Sequence, residues 1–176
     1  RGWTKFNQNI NSWDVSNVTD MGHMLRDCTA FNQPIGGWDV SNVTNMEFMF
    51  YNATSFNKPI NNWDSSKVVD VSAMFAGCTE FNQNLNSWDV SSVTSMSSMF
   101  NRCSNFNQPL NDWDVSKVTR TDNMFQDCTN FNQPLDKWNV SNMTLMTQMF
   151  DGCKSFNQDL SEWCVSHYRS EPGYFA

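Results

Sequence analysis

A column of acidic side chains is the first feature of the sequence that could do chemistry. At intervals of 25 residues a tryptophan is followed by a carboxylate or, once, by an amide: Asp14, Asp39, Asp64, Asp89, Asp114 and Asn139. If equivalent residues of neighbouring repeats lie about 4.8 Å apart, adjacent carboxylates repel by roughly 0.9 kcal/mol in water. This acidic column therefore requires compensation wherever a partner covers it.

Three kinds of compensation compete at the acidic column. Each member precedes a serine by two residues, which is typical of an Asx turn in which the side chain accepts a nearby backbone N–H. A basic or sugar-bearing partner seated on the column is the second alternative. Bound calcium is the third, although it prefers about six to eight oxygen ligands and the sequence has no Asp-rich loop of the usual kind. We predict partner binding at these residues as a hypothesis.

Catalytic and metal-binding combinations are poorly represented. The chain has two histidines, His23 and His167, and Cys164 near His167 has no third group to orient it. Cysteine spacing of the C-x-x-C kind is absent, so zinc is unsupported. The sequence predicts no enzyme, no cofactor and no metal site.

Five cysteines occupy one repeat position, and a sixth, Cys164, stands apart. The five are Cys28, Cys78, Cys103, Cys128 and Cys153. Parallel stacking would keep neighbouring Cβ atoms about 4.8 Å apart, wider than the roughly 3.8 Å that a disulfide prefers. We therefore expect these five to be free, buried thiols that serve as small core residues.

A 25-residue unit must position all these side chains. It is marked by phenylalanines at 6, 31, 56, 81, 106, 131 and 156, and by tryptophans seven residues after each. Residues 1–5 read as the remnant of a preceding repeat, 6–155 as six complete repeats, and 156–176 as a degenerate C-terminal capping repeat. A period of about 20 to 50 residues is typical of a solenoid.

Apolar spacing changes within each unit. Trp88 and Val90 alternate with polar residues, which predicts a short strand with Asp89 on the outer side. Steps of three and four follow, which predict a short helical turn; these residues are Val93, Met96, Met99, Phe100 and Cys103. The predicted fold is a leucine-rich-repeat-like solenoid of short parallel β-strands and short helical turns, one rung per 25 residues, with phenylalanine, tryptophan and methionine ladders as its core.

Composition excludes several partner classes. The net charge of −7 and the absence of a Lys/Arg cluster argue against nucleic acid. No apolar run approaches the roughly 18 residues of a membrane span, so membrane insertion is not expected.

The asparagine that follows the first phenylalanine of each unit is predicted to form an internal amide ladder. Acceptor patterns for N-glycosylation occur at Asn17, Asn42, Asn52, Asn139 and Asn142.

The repeat also resembles a known family. The run W-D-V-S-x-V-T-x-M-x-x-M-F-x-x-C-x-x-F-N-Q-x-L is similar to the repeat of the BspA-like leucine-rich repeat surface proteins, and the resemblance covers nearly the whole chain. It implies a leucine-rich-repeat-like solenoid, an extracellular or cell-surface location, and binding without a specified ligand.

These observations favour a binding or adhesion module that contacts a protein or glycan on another surface through an exposed sheet face. The alternative is a structural spacer or filament-forming subunit that self-associates. Charged residues in the last unit, Glu162, His167, Arg169 and Glu171, predict a cap and so favour the binding module. A column of threonines facing ice or mineral is a third, weaker alternative; its members are Thr19, Thr44, Thr94, Thr119 and Thr144.

Overall fold

Backbone hydrogen bonds join each 25-residue repeat to the next. A computed structural model describes residues 2–165. We number the complete repeats 1 to 6 and count positions within each from its phenylalanine. In repeat 4, the N–H of Ser98 donates to the carbonyl of Asp122 at 2.8 Å, and that of Phe100 to Met124 at 2.9 Å. Equivalent bonds link repeats 1 to 6, so the repeats lie side by side in chain order.

The predicted solenoid of parallel β-strands and helical turns is wrong. Within residues 2–165 there is no helix and no strand, and the fold is compact and mostly coil. The β-structure among them consists of isolated parallel bridges at position 15, between Asp20 and Asn45, Asn45 and Asp70, Asp70 and Ser95, Ser95 and Arg120, and Arg120 and Leu145. The leucine-rich-repeat fold and the exposed sheet face are therefore also wrong, whereas the resemblance to the BspA-like surface proteins stays a prediction.

Left-handed backbone explains why helical spacing does not produce a helix. Positions 18 and 22 have positive φ angles in the repeats, as at Ser98 with 57° and Arg102 with 59°. Such angles interrupt a right-handed helix. The steps of three and four arise from overlapping turns instead, in which Met99 N–H donates to the Met96 carbonyl at 3.1 Å and the next two turns repeat the pattern. The N–H groups between those turns bond to the next repeat.

The predicted core of phenylalanine, tryptophan and methionine columns is confirmed. In repeats 2 to 5 the phenylalanines at positions 1 and 20 are fully buried. Phe75 stacks on Phe81 with ring centroids 4.1 Å apart, and Phe81 stacks on Phe106 at 6.0 Å. Stacked aromatic rings supply large apolar burial and add about 0.5–1.5 kcal/mol per pair. The core therefore runs through all the repeats.

The tryptophan column also bonds to the backbone. The Trp88 indole Nε1–H donates to the carbonyl of Ile60 in the preceding repeat at 3.1 Å, and the other interior tryptophans make the same bond. Trp88 is only 4 % exposed, whereas Trp13 in repeat 1 is 52 % exposed. Each interior tryptophan thus fixes its repeat onto the one before it.

Two polar residues replace apolar ones without disturbing the pattern. Ser65, in a valine position, is buried and donates its hydroxyl to the Asp89 carbonyl at 3.0 Å. Thr121, in a methionine position, is buried and donates to the Leu145 carbonyl at 3.4 Å. Both hydroxyls are satisfied by the following repeat, so burial leaves no unpaired polar group at these sites.

The residues before the first complete repeat pack against that repeat. At the start, Gly2 N–H donates to the Arg26 carbonyl at 3.0 Å and Ala30 N–H donates to Thr4 at 3.1 Å, so residues 2–5 lie beside the end of repeat 1. Residues 166–176 of the predicted cap, with His167, Arg169 and Glu171, lie outside the described residues. Across residues 2–165, no helix of a length and apolarity suited to spanning a bilayer occurs.

Candidate binding surfaces

The acidic column forms Asx turns, as the first of the three alternatives predicted. In every case the Oδ1 atom accepts the N–H of the serine two residues later, at 3.0–3.2 Å. At Asp64 the Ser66 hydroxyl also donates, at 2.7 Å. The serine hydroxyl and then its N–H lower the pKa values of four members; these are Asp14, Asp39, Asp64 and Asp114.

All six members of the acidic column are exposed, and their compensation is local. Partner binding at this column stays a prediction, as the second alternative. For calcium, the third, no group of three or more His, Cys, Asp or Glu side chains suited to a metal ion occurs in residues 2–165. The column offers a partner exposed charge.

The N-glycosylation acceptor patterns lie mostly on the surface. Asn52 is half-buried and the other four asparagines are exposed. Asn42 Nδ2 donates to the Ser16 carbonyl at 2.9 Å, and Asn142 Nδ2 to the Ser116 carbonyl at 2.6 Å. At these two sites the nitrogen that a glycan would modify already bonds to the preceding repeat. Glycosylation of the five asparagines stays a prediction.

The asparagines at position 2 form the predicted internal ladder. Asn82 Oδ1 accepts the backbone N–H of Asn107 and the Nε2–H of Gln108, each at 3.0 Å. At five other asparagines the Oδ1 atom likewise accepts the backbone N–H of the equivalent asparagine in the next repeat; these are Asn7, Asn32, Asn57, Asn107 and Asn132. These amides stabilise the junctions between repeats and are not a recognition surface.

The five column cysteines are free thiols, as predicted. Cys103 Sγ–H donates to the Phe75 carbonyl in the preceding repeat at 2.9 Å, and Cys128 bonds Phe100 at 2.8 Å. Burial raises the pKa of the Cys103 thiol well above its usual range, and raises that of the half-buried Cys153 to about 12. The thiolate is the reactive form, so these cysteines should be inert in the folded chain.

Alkylation of the native protein tests this. In a Cys164→Ser background, iodoacetamide should modify Cys103 at least about 100-fold more slowly in buffer than in guanidinium chloride, because modification requires opening of the core. Cys153 should react before Cys103. Peptide mass spectrometry of timed samples measures both rates. Equal rates for Cys103 with and without denaturant would contradict its placement in the core.

A groove that our sequence analysis missed crosses repeats 2 to 5. Its volume is about 660 Å³, and its lining comes from positions 14, 15, 17, 18 and 21 of the repeats. The lining residues are Glu47, Phe48, Tyr51, Asp70, Ser72, Ala73, Ala76, Thr94, Ser95, Ser97, Ser98, Asn101, Thr119, Arg120, Asn123 and Gln126. We call this surface the variable groove.

Positions 18 and 21 change in every complete repeat, in contrast to the nearly invariant core positions. Position 18 holds His, Phe, Ala, Ser, Asn and Gln in chain order, and position 21 holds Arg, Tyr, Ala, Asn, Gln and Asp. This variation was visible in the sequence and is the signal that could have located the groove. Apart from Thr94 and Thr119 of the threonine column, the groove brings together residues that the sequence did not single out as a site.

Aromatic side chains form one end of the variable groove. His23 stacks on Phe48 with ring centroids 4.9 Å apart and planes 5° apart. The Arg26 guanidinium lies 4.7 Å from the Tyr51 ring centroid and 5.2 Å from that of Phe48. Phe48 and Tyr51 are 5.5 Å apart. These cation–π and stacking contacts hold the two aromatic rings in place.

Amides and hydroxyls form the rest of the variable groove. Asn101 Nδ2 donates to Gln126 Oε1 at 3.0 Å, and Gln126 Nε2 donates to Asp151 Oδ2 at 3.0 Å. On the floor, the Ser72 and Ser95 hydroxyls share a hydrogen bond of 2.7 Å. These bonds fix the orientation of the groups before any ligand arrives.

A second, apolar cavity lies at the end of the chain near repeat 1. Its volume is about 180 Å³, and it is lined by Trp3, Phe6, Ile10, Trp13, Met24, Leu25 and Cys28. Trp3 is 67 % exposed and Trp13 52 % exposed. Large exposed apolar side chains beside one another are typical of a surface that contacts another protein segment.

Comparison with known proteins gives one family. The model of DUF285, described as "Mycoplasma protein of unknown function", matches residues 1–88 and again 70–176. No curated protein matches the chain.

Proposed function

This chain belongs to the DUF285 family, whose description assigns no function, and we propose that it is a binding module for a protein or a glycan on another surface. The proposed contact surface is the variable groove. The observation that carries the proposal is that the two positions that differ in all six complete repeats, 18 and 21, both line this groove. Variable residues beside nearly invariant ones can tune recognition, and binding residues commonly lie on surface segments that a rigid scaffold positions.

The polarity of the groove also supports recognition. Ligand sites combine apolar or aromatic contact area with a few fixed polar groups. Phe48 and Tyr51 supply the aromatic contact area, and Asn101, Asn123 and Gln126 supply the polar groups. The proposal is for binding without catalysis. An extracellular or cell-surface location stays a prediction.

The apolar end near repeat 1 favours a second candidate, a subunit that self-associates. Each interior tryptophan donates to a carbonyl of the repeat before it, as Trp38 does to Ile10 at 3.0 Å. Trp13, at the same position in repeat 1, is 52 % exposed. If the chain self-associates through this end, sedimentation should show an apparent molecular mass that rises with protein concentration. Trp13→Glu should lower this apparent mass.

A matched pair of substitutions in repeat 4 tests the binding function. Ser98→Arg places a long charged side chain in the variable groove, at a position where larger residues occur in other repeats. Ser92→Arg adds the same side chain at position 12, where repeats 3 and 5 carry Lys67 and Lys117. Ser92→Arg therefore controls for charge and size away from the groove.

The two variants and the native chain would be compared on glycan and protein arrays after their melting temperatures are shown to agree. We expect native binding to be retained by Ser92→Arg and lost by Ser98→Arg. A third variant, with Asp→Asn at 39, 64, 89 and 114, tests the acidic column. Loss in that variant alone would move the site to the column, and equal binding by all four proteins would contradict both surfaces.

A further inference from the structure

The stack of side chains at position 18 contains a space beside an aromatic ring. His23 covers the repeat 1 side of Phe48, with the two planes parallel to within 5°. On the opposite side the equivalent residue is Ala73, whose side chain ends at Cβ. Phe48 and Ala73 both line the variable groove. Ala73 is itself buried beneath the groove surface, so a flat ring entering from solvent would take the stacking place above it, beside Phe48.

Position 21 repeats this arrangement beside it. Arg26 lies over Tyr51 from repeat 1, and Ala76 follows Tyr51 on the other side. Tyr51 and Ala76 line the groove as well. Two aromatic residues are thus supported from behind and adjoin two alanines, which makes a notch with an aromatic wall and a small-residue floor.

Planar amides lie across the notch. Asn101 Nδ2 donates to Gln126 Oε1, and Gln126 Nε2 donates in turn to the Asp151 carboxylate, each at 3.0 Å. This chain of bonds uses one Asn101 N–H and leaves its Oδ1 as an acceptor. Asn123 and Ser98 add further donors and acceptors from repeats 5 and 4.

A pyranose ring matches these two walls. Its C–H face packs on an aromatic ring, and its hydroxyls both donate and accept, as amide side chains require. Peptide recognition by strand addition fits less well, because it needs a sheet edge and residues 2–165 contain only isolated bridges. A polyanionic glycan is disfavoured by the net charge of −7 and by the groove lining, in which the carboxylates of Glu47 and Asp70 outnumber the guanidinium of Arg120.

We infer, resting on the proposed function, that the ligand of the variable groove is a neutral glycan. One pyranose unit lies flat on Phe48 above Ala73, beside Tyr51, and its hydroxyls bond to Ser98 and Asn101, while Asn123 contacts the next sugar unit. The glycan chain extends along the groove across repeats 3 to 5.

Two variants test this placement by opposite changes. Phe48→Ala removes the stacking surface, whereas Ala73→His fills the space with the ring that repeat 1 carries at the same position. Position 18 holds large side chains at similar positive φ elsewhere, with 59° at His23 and 55° at Gln148, so the Ala73 backbone at 51° can accept the change. Because Ala73 is buried, the melting temperature of Ala73→His is compared with that of the native chain before its affinity is measured. Ser92→Arg is the control outside the groove.

The probes are hexasaccharides of β-linked glucose, α-linked glucose and N-acetylglucosamine, with a hexagalacturonate as the charged comparison. Calorimetric titration of the native chain should show binding of at least one neutral hexasaccharide and weaker binding of the hexagalacturonate. Both groove variants should weaken the neutral ligand by about tenfold or more, and Ser92→Arg should not. Unchanged affinity in Ala73→His would overturn the placement beside Phe48.

The outcomes separate this inference from the proposed function. If no neutral hexasaccharide binds but a protein partner is captured and then lost in Ser98→Arg, the glycan inference fails and the binding function stands. Stronger binding of the hexagalacturonate would also overturn the inference. If neither glycan nor protein binds the native chain, both proposals fail.

Discussion

Replacing Trp88 with alanine is expected to lower the free energy of unfolding by about 3–5 kcal/mol. The indole is 4 % exposed, stacks on Trp63 with ring centroids 6.1 Å apart, and donates to the Ile60 carbonyl at 3.1 Å. Alanine removes this apolar contact and leaves a buried carbonyl without its donor. Urea denaturation followed by circular dichroism measures the change.

Trp13→Ala is the matched control, because it changes the same residue at the same repeat position. Trp13 is 52 % exposed, so its loss should cost about 1 kcal/mol or less. A cost for Trp88→Ala as small as that expected for Trp13→Ala would show that the tryptophan column is not a continuous core. A cost at Trp13 as large as that expected for Trp88 would indicate that this end is covered in solution.

Asn82→Ala is expected to cost about 2–3 kcal/mol. Asn82 Oδ1 accepts both the Asn107 N–H and the Gln108 Nε2–H, and alanine leaves these half-buried donors without an acceptor. The asparagine lies between repeats 4 and 5, so the loss weakens the junction and not only one turn. Hydrogen exchange should show faster exchange at the Asn107 amide, beyond the global change in stability.

Asn82→Asp separates the hydrogen bonds from the asparagine side chain itself. The carboxylate keeps an oxygen at the same place, and near neutral pH it should accept both donors, so the cost should stay within about 1 kcal/mol. Equal destabilisation by alanine and aspartate would contradict the ladder. A stable Asn82→Ala would show that water replaces the amide oxygen.

The core of this protein could be predicted from its sequence because burial follows residue type at a fixed interval. Phe81 and Trp88 recur without insertion, and a recurrent aromatic residue has few places to lie other than against its equivalents. The amide ladder at Asn82 could be predicted from the same 25-residue recurrence. These predictions depend on the period and on burial, and not on the local backbone path.

The backbone between positions 15 and 22 could not be predicted in the same way. Met96, Met99 and Phe100 have helical spacing, yet Ser98 adopts a φ of 57° and its N–H bonds to Asp122 in the next repeat. Contacts between repeats override the local helical preference, which is worth only tenths of a kcal/mol per residue. The predicted strand at Trp88 and Val90 failed similarly, since bridging occurs at position 15 instead.

The candidate site depended on this unpredicted backbone. The acidic column was visible because Asp–x–Ser identifies a local turn without any knowledge of the fold. The variable groove is formed by positions that face one side only because of the left-handed residues, such as Ala73 at 51°. Sequence variation at positions 18 and 21 was a signal for function, but the notch between Phe48 and Asn101 needed coordinates.

An amide chemical-shift map is the most direct test of recognition through the variable groove. The ¹⁵N-labelled chain would be titrated with the partner or hexasaccharide that binds it, and shifts followed at Ala73, Ser98 and Asn123. Our account predicts the largest shifts at these amides and small ones at the acidic-column turns, for which Ser66 and Ser91 report. Large shifts at Ser66 and Ser91 with unchanged groove amides would contradict it.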